Sequence, residues 1–108
     1  MQEGAGPMAV TCSEEDRRLT AVVTGELDHH RAREIMEELD RRIDAAMPRE
    51  LTLDLRNLTF TDSSGIAVLM RAWRRMGTVR GTMRVIHTPA QARKVFLAAG
   101  LQRMIRFE

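Results

Sequence analysis

The sequence contains few of the residue types that define several protein classes. Among its 108 residues there are 1 cysteine, 1 tryptophan, 3 phenylalanines and no tyrosine. A single cysteine, Cys12, cannot form an intramolecular disulfide, so a disulfide-stabilised scaffold is excluded and a reducing compartment is the simpler expectation. Since the longest apolar run is far shorter than the roughly 20 residues needed to cross a bilayer, we expect a cytoplasmic protein with no membrane partner.

Lysine is also nearly absent, because 16 of the 17 basic residues are arginine, and the formal net charge is only +2. That small total hides two opposite halves. Residues 1–62 carry 8 arginines against 14 acidic residues, a balance of −6, whereas residues 63–108 carry 9 basic residues against 1 acidic residue, a balance of +8. The basic half lacks the clustered lysines and stacking aromatics of nucleic-acid binders, so we expect no direct nucleic-acid partner.

The length fits a single domain with one hydrophobic core. Apolar residues make up 44% of the chain, which excludes a disordered protein. Residues 1–7 have neither the basic nor the apolar region of a signal peptide, and we expect them to form a flexible leader. Residues 8–108 are expected to form the folded domain.

Alternating apolar and polar residues predict several strands, the first two joined as a hairpin by the polar turn 13–16. The predicted strands are Met8–Cys12, Arg18–Thr24, Leu51–Leu55, Met83–His87 and Met104–Phe107. The segment Asn57–Thr61 is expected to be a loop.

Apolar residues spaced three and four apart predict three helices, each with its own start and stop signals. The first follows Asp28 as N-cap and ends at Pro48; its apolar stripe is Ala32, Ile35, Met36, Leu39, Ile43, Ala46 and Met47. The second begins at Ser63 or Ser64 and ends at Gly77; its inward residues are Ile66, Leu69, Met70, Trp73 and Met76. The third is capped by Thr88 and ends at Gly100; its inward residues are Ala92, Val95, Phe96 and Ala99.

Strands and helices alternate along the chain, which requires parallel crossover connections. The strands are only partly apolar and the helix stripes are narrow. We therefore expect a small α/β domain with a mixed central sheet of about five strands and helices mainly on one face.

The segment TDSSG at residues 61–65 is the main functional candidate, because it lies between a strand and a helix. Backbone amides at a helix N-terminus attract a phosphate group, whether free or attached to serine. The alternative, which the local residues favour, is that Asp62 or Ser63 caps the helix and Gly65 allows close packing. The segment does not match the Gly-x-Ser-x-Gly motif of hydrolases, so we assign no catalytic residue and expect no enzyme.

The segment GELDHH at residues 25–30 is the second candidate. His29 and His30 would point about 100° apart at the start of a helix and cannot easily bind one ion. Capping by Asp28 and a polar surface turn explain these residues better than a metal site. We expect neither a metal nor a cofactor.

Three stretches of the sequence have a pattern seen together in one family: VTGELDHH at 23–30, LDLRNLTFTDSSG at 53–65 and IRFE at 105–108. They resemble the STAS domain family over nearly the whole chain. The DSSG loop is typical of its anti-sigma factor antagonists. The GELDHH and IRFE segments narrow the resemblance to the sporulation antagonists of spore-forming bacteria.

The resemblance implies a partner-switching cycle. The unphosphorylated antagonist binds an anti-sigma factor that is also a serine kinase, and the sporulation sigma factor is released. The kinase then phosphorylates the first serine of the motif, which is Ser63 here, with Ser64 as the alternative, and a serine phosphatase resets the cycle. A STAS scaffold that never cycles through phosphate, such as a transporter accessory protein, is the alternative.

The resemblance also assigns a partner-binding surface. The residues that match the family's motifs are Asp28, Asp62, Ser63, Ser64 and Gly65. On the first turns of the second helix we add Ile66 and Val68 as the expected apolar part of this partner-binding surface, with Arg71 as a charged part. The competing interpretation of Ile66 is a place in the core, which its helical spacing favours.

Overall fold

The computed structural model describes residues 9–108, so the predicted leader 1–7 and Met8, the first residue of the first predicted strand, lie outside the described residues. In chain order the elements are β1 (Val10–Glu15), β2 (Arg18–Val23), β3 (Gly25–Leu27), α1 (Ala32–Ala46), β4 (Glu50–Asp54), β5 (Leu58–Thr61), α2 (Ser64–Thr78), β6 (Thr82–Ile86), α3 (Ala90–Ala98) and β7 (Arg106–Phe107). A single 3₁₀ turn, Leu101–Arg103, separates α3 from β7 in this part of the chain.

Five strands form a mixed sheet in the order β1-β2-β4-β6-β7. Strand β1 runs antiparallel to β2, and the other neighbours are parallel. Helices α1 and α2 pack against each other, α1 also contacting β1 and β2, and α2 contacting β6. The predicted α/β fold with a mixed five-stranded sheet is therefore confirmed.

The first hairpin is present, but its predicted turn is wrong. The turn is Asp16–Arg17, whose φ angles of 57° and 61° are both left-handed, and residues 13–15 belong to β1. Two left-handed residues make the tight turn whose twist matches that of the flanking strands. Residues 13–15, which the sequence predicted as part of the turn, lie on a largely exposed strand at the edge of the sheet.

The predicted loop Asn57–Thr61 is also wrong, because Leu58–Thr61 forms β5. It pairs in parallel with β3, Gly25–Leu27, as a separate two-stranded ladder. Strands of three and four residues are too short to show a convincing alternation. The ladder includes the first residues of both candidate segments, 25–30 and 61–65.

Helix α1 buries Ile35, Leu39 and Ile43 as predicted. Met47, expected on the same stripe, is 55% exposed. It takes a left-handed conformation with φ 43° at the C-cap, where its amide donates to the carbonyl of Ile43 at 2.8 Å. That conformation turns Met47 out of the helical spacing, and Pro48 follows the end of the helix.

Helix α2 is rotated relative to the sequence prediction. Leu69 and Met76 are buried as expected, but the remaining buried positions are Gly65, Val68 and Ala72. Trp73, predicted to face inward, is 38% exposed. Gly65 sets this rotation, because a residue without a side chain allows the start of the helix to approach the strands closely.

Helix α3 buries Ala92 and Phe96 as predicted, whereas Ala99 is exposed. The predicted Thr88 cap is wrong: Pro89 occupies the N-cap position, and the buried Thr88 hydroxyl has no hydrogen-bond partner in residues 9–108. Gly100 ends the helix as expected, with φ 79° and its amide donating to the carbonyl of Leu97 at 3.0 Å.

Candidate functional site

The β3–β5 ladder brings the two candidate segments together. Parallel strands end at the same edge of a sheet, so the residues after Leu27 and after Thr61 emerge side by side. The amide of Asp62 donates to the carbonyl of Leu27 at 3.4 Å. We call the loop containing Asp28 the first loop and the loop containing Ser63 the second loop.

Asp62 links the two loops through its carboxylate. Its Oδ1 accepts a hydrogen bond from the Ser64 amide at 2.7 Å, and its Oδ2 accepts one from the His29 amide at 3.1 Å. The Ser64 amide contributes most to lowering the pKa of Asp62 below its ordinary value, and the His29 amide acts in the same direction. Asp62 is therefore ionised at neutral pH and caps α2, as one of the sequence alternatives proposed.

Ser63 occupies the N-cap position of α2 and is exposed. Its side chain makes no capping hydrogen bond. The amides that a serine cap would reach, those of Gly65 and Ile66, instead donate to the carbonyls of Asp62 at 3.0 Å and Ser63 at 3.1 Å. Ser64, the alternative modification site, is only half-exposed. Of the two hydroxyl groups, that of Ser63 is the more accessible to a modifying enzyme.

Gly65 lies behind the second loop and is buried. A β-carbon on Gly65 would collide with the Thr61 hydroxyl and would lie 3.2 Å from Leu27 Cδ2 and 3.3 Å from Phe96 Cε1. The Thr61 hydroxyl, itself fully buried, donates to the carbonyl of Leu27 at 3.0 Å. Gly65 thus holds the loop in place from the inside and presents no side chain to a partner.

Gln91 on α3 holds the second loop from another direction. Its Oε1 accepts from the Thr61 amide at 3.0 Å, and its Nε2 donates to the Thr61 carbonyl at 2.8 Å. The sequence reasoning missed this residue. No local pattern distinguishes a glutamine that binds backbone 30 residues away from any other polar residue on a helix.

Asp28 organises the first loop, but the prediction that it is the N-cap of α1 is wrong, because Arg31 occupies that position and makes no side-chain capping bond. Its Oδ1 accepts hydrogen bonds from the amides of His30 at 3.0 Å and Arg31 at 3.1 Å. The carboxylate caps the turn that leads into α1, which begins at Ala32. Asp28 is half-buried and adds a second acidic group to the edge where the two loops meet.

Apolar surface near Ser63 comes from a residue that the sequence reasoning did not select. Phe60 in β5 is 42% exposed and is paired with the exposed Glu26 in the ladder. Ile66 is half-buried and packs against the core cluster. Val68 is fully buried, so the expectation that it belongs to the partner surface is wrong. Its place on the buried side follows from the rotation of α2.

A second polar cluster lies at the ends of β4 and β6. Asp54 Oδ1 lies 3.0 Å from His87 Nδ1, and Asp54 Oδ2 accepts from Arg56 Nε at 3.0 Å. Burial is the largest influence and would raise the pKa of Asp54, but the amide and guanidinium of Arg56 and the His87 ring together hold it below its ordinary value. The cluster fixes the central strand end and shares no hydrogen bond with the Ser63 loop.

Metal-ligating and membrane-spanning features are both missing from the described part of the chain. In residues 9–108, no three His, Cys, Asp or Glu side chains group together in a way that would hold a metal ion. No helix in the same range is both long enough and apolar enough to span a bilayer.

Comparison with known proteins places this arrangement in a family. The family model described as "Mlab, STAS domain" matches residues 10–106. The anti-sigma F factor antagonist of Paenibacillus polymyxa is 29% identical over 79 residues, covering 73% of this chain and 68% of that protein. The antagonist of the same name from Lysinibacillus sphaericus is 31% identical over 77 residues, covering 71% of this chain and 66% of that protein.

Solved structures lead to the same family. The anti-sigma factor antagonist SpoIIAA in its unphosphorylated form superposes with a TM-score of 0.79 at 25% identity, covering 93% of this chain and 88% of that one. The phosphorylated form of SpoIIAA from Bacillus has a TM-score of 0.71 at 25% identity, covering 93% and 91%. With nearly the whole described chain matched by both the family model and these structures, the protein belongs to the STAS domain family.

Proposed function

We propose that the chain is an anti-sigma factor antagonist, a regulatory binding protein and not an enzyme. In its unphosphorylated form it binds an anti-sigma factor serine kinase and releases a sporulation sigma factor. Phosphorylation of Ser63 ends that binding, and a serine phosphatase restores it. The exposed Ser63 hydroxyl, free of any capping bond at the start of α2, is the observation that carries the proposal.

The position of Asp62 explains why phosphate at Ser63 would act on the partner. A phosphate adds about −1.5 to −2 charges at neutral pH. Because the Asp62 carboxylate already accepts the Ser64 amide, the incoming group lies beside an existing negative charge. In an interface, both charges would have to lose water without gaining a partner. The modification therefore opposes binding by electrostatic repulsion and steric exclusion.

The fold itself accommodates the modification. Ser63 has ordinary helical angles, φ −63° and ψ −16°, and its side chain is exposed. The helix dipole favours a negative group at this end by roughly 0.3–1 kcal/mol. We therefore expect the phosphorylated and unphosphorylated domains to share one backbone conformation.

The binding surface combines an apolar and an acidic part. Phe60 supplies the exposed apolar area, three residues before Ser63, with Ile66 half-buried on the first turn of α2. Asp28 and Asp62 supply the acidic part from the two loops. Gly65 is buried beneath this surface, and the half-exposed Ser64 lies between Gly65 and the exposed Ser63.

The first test is phosphorylation by an anti-sigma factor serine kinase with ATP and Mg²⁺, followed by intact mass measurement. We expect a mass gain of one phosphate in the native chain and in Ser64→Ala, and none in Ser63→Ala. Ser64→Ala is the matched control, because it removes the same hydroxyl one residue away. The absence of phosphorylation in all three chains, or its persistence in Ser63→Ala, would contradict the assignment.

The second test measures binding and conformation separately. Phosphorylated protein should bind the kinase at least tenfold more weakly than unphosphorylated protein, while its backbone NMR shifts change only near Ser63. Ser63→Ala should bind irrespective of ATP. Shift changes spread across the sheet would show that the switch works by refolding and not by exclusion.

A STAS scaffold that does not cycle through phosphate is the alternative that a pair of variants at Ser63 separates from the antagonist. Such a protein would bind its partner equally well with Ser63→Ala and Ser63→Glu. The antagonist should lose binding only in Ser63→Glu.

A further inference from the structure

A groove lies at the end of α2 farthest from Ser63. It has a volume of about 740 Å³ and runs between the last turns of α2, the beginning of β6 and the segment leading into β7. The side chains that matter most for its chemistry are Trp73, Met76, Met83, Met104, Arg74 and Arg106. None of these residues belongs to the proposed kinase-binding surface.

The floor of the groove is apolar. Only four large apolar side chains are exposed in residues 9–108, and two of them, Trp73 and Met104, line this groove at 38% exposure each. Met76 and Met83 lie buried beneath them. Methionine adapts its shape to different ligands, and tryptophan is enriched where binding energy concentrates. This floor is suited to receive large apolar side chains.

The rim of the groove is basic. Arg74, Arg84 and Arg106 line it, against a single acidic residue, Glu50. Glu50 pairs outside this set with Arg18 at 3.7 Å, and one carboxylate, that of Glu108, is shared by Arg84 at 3.1 Å and Arg106 at 3.3 Å. Within residues 9–108, Arg74 has no acidic group within 4 Å. The rim therefore has positive charge that the fold leaves uncompensated.

We propose that this groove binds an acidic, amphipathic segment of a partner protein. Its large apolar side chains would cover Trp73 and Met104, and its carboxylates would pair with Arg74 and the other rim arginines. Helix α2 has 15 residues, so at about 1.5 Å per residue the groove lies roughly 20 Å from Ser63. The chain thus offers a second docking surface that stays available in both phosphorylation states.

The experiment uses the full chain and a library of displayed random peptides. We expect enriched peptides to combine glutamate or aspartate with two or more large apolar residues. A synthetic copy of an enriched peptide should shift the emission of Trp73, the only tryptophan in the chain, to shorter wavelength in a saturable and salt-sensitive way.

Two charge reversals make the matched comparison. Arg74→Glu should weaken the peptide at least tenfold, because it replaces an attractive rim charge with a repulsive one. Arg93→Glu alters an exposed arginine on α3 outside the groove and should leave the affinity within twofold. Thermal unfolding of both variants verifies that each one folds.

Several results would overturn the proposal. They are the absence of any enrichment, enriched peptides without acidic residues, and equal weakening by both reversals. Anionic phospholipid vesicles that shift Trp73 emission while the peptide does not would identify a membrane surface instead. Self-association that Arg74→Glu abolishes, seen by sedimentation velocity, would identify a second copy of the chain as the occupant.

Discussion

The carboxylate of Asp62 accepts a hydrogen bond from the backbone amide of His29 at 3.1 Å, across 33 residues of sequence. Its other oxygen holds the Ser64 amide, so one side chain both caps α2 and fixes the first loop against the second. The ionised form of Asp62 makes both bonds, since a carboxylate accepts where a protonated acid accepts less well. The geometry around Ser63 therefore depends on the charge state of its neighbour.

Stability should fall in acid. The pKa values of Asp62 and Asp54 are both lowered in the folded chain, so their ionised forms stabilise the fold above the unfolded-state pKa of about 3.9. That stabilisation is lost as the pH falls through the lower, folded-state values. We expect the free energy of unfolding, measured with urea, to decrease steadily from pH 5 towards pH 2.

Asp54→Asn provides the check on this pH dependence. The amide cannot ionise, so the variant should be less stable at neutral pH and should lose less stability between pH 5 and pH 2 than the native chain. A variant whose acid slope equals the native one would show that Asp54 is not a source of the effect.

Gly65→Ala should destabilise the domain by about 1–3 kcal/mol, because the new methyl group overlaps the Thr61 hydroxyl in a packed interior. Gly77→Ala is the matched control on the same helix, since no atom beyond the local helix backbone lies within 4 Å of the place that a β-carbon would occupy. There alanine should stabilise the helix by about 0.5–1 kcal/mol. Urea unfolding of the two variants should give shifts of opposite sign; shifts of the same sign would refute the packing argument.

Gln91→Ala, a substitution on α3, should increase the local opening of the second loop. It leaves the buried amide and carbonyl of Thr61 without their partners, at a cost of about 1–3 kcal/mol. Hydrogen exchange at residues 61–64 should accelerate, whereas Gln102→Ala, at an exposed site, should leave it unchanged. Equal exchange in both variants would mean that the glutamine bonds do not hold the loop.

Asp40 should matter more than any exposed acid on α1. Its buried carboxylate binds Arg71 at 2.7 Å and Arg75 at 3.3 Å, joining α1 to α2. Among the ion pairs of residues 9–108, Glu37 takes part in one, with Arg33 at 3.5 Å on the exposed side of α1. Asp40→Ala should lower the urea midpoint several-fold more than Glu37→Ala, since exposed ion pairs contribute little. Similar shifts for the two would contradict this difference.

The elements with long, regular patterns could be predicted from the sequence. Local spacing of apolar residues predicts the buried side of α1 and the strand β4. Gly100 predicts where α3 ends. The inward side of α2 could not be predicted, because an apolar stripe one position away fits the residues nearly as well. The packing of Gly65 against Leu27 and Phe96 decides between the two, and those contacts are tertiary.

The candidate site was predictable in its location but not in its construction. The composition of residues 61–65 points to a helix N-terminus, and the capping by Asp62 was among the alternatives. The β3–β5 ladder, the Gln91 bonds and the exposure of Phe60 depend on residues far apart in sequence. Short strands and side chains that bind distant backbone have no periodicity by which a sequence reveals them.

The Gln91 bonds also have a consequence for protein synthesis. During synthesis Ser63 leaves the ribosomal exit tunnel before Gln91. The serine is therefore outside the ribosome before the residue that holds Thr61 in place. The finished loop exists only after α3 has emerged and packed. A kinase that recognises the folded loop would thus act on completed domains and pass over nascent ones.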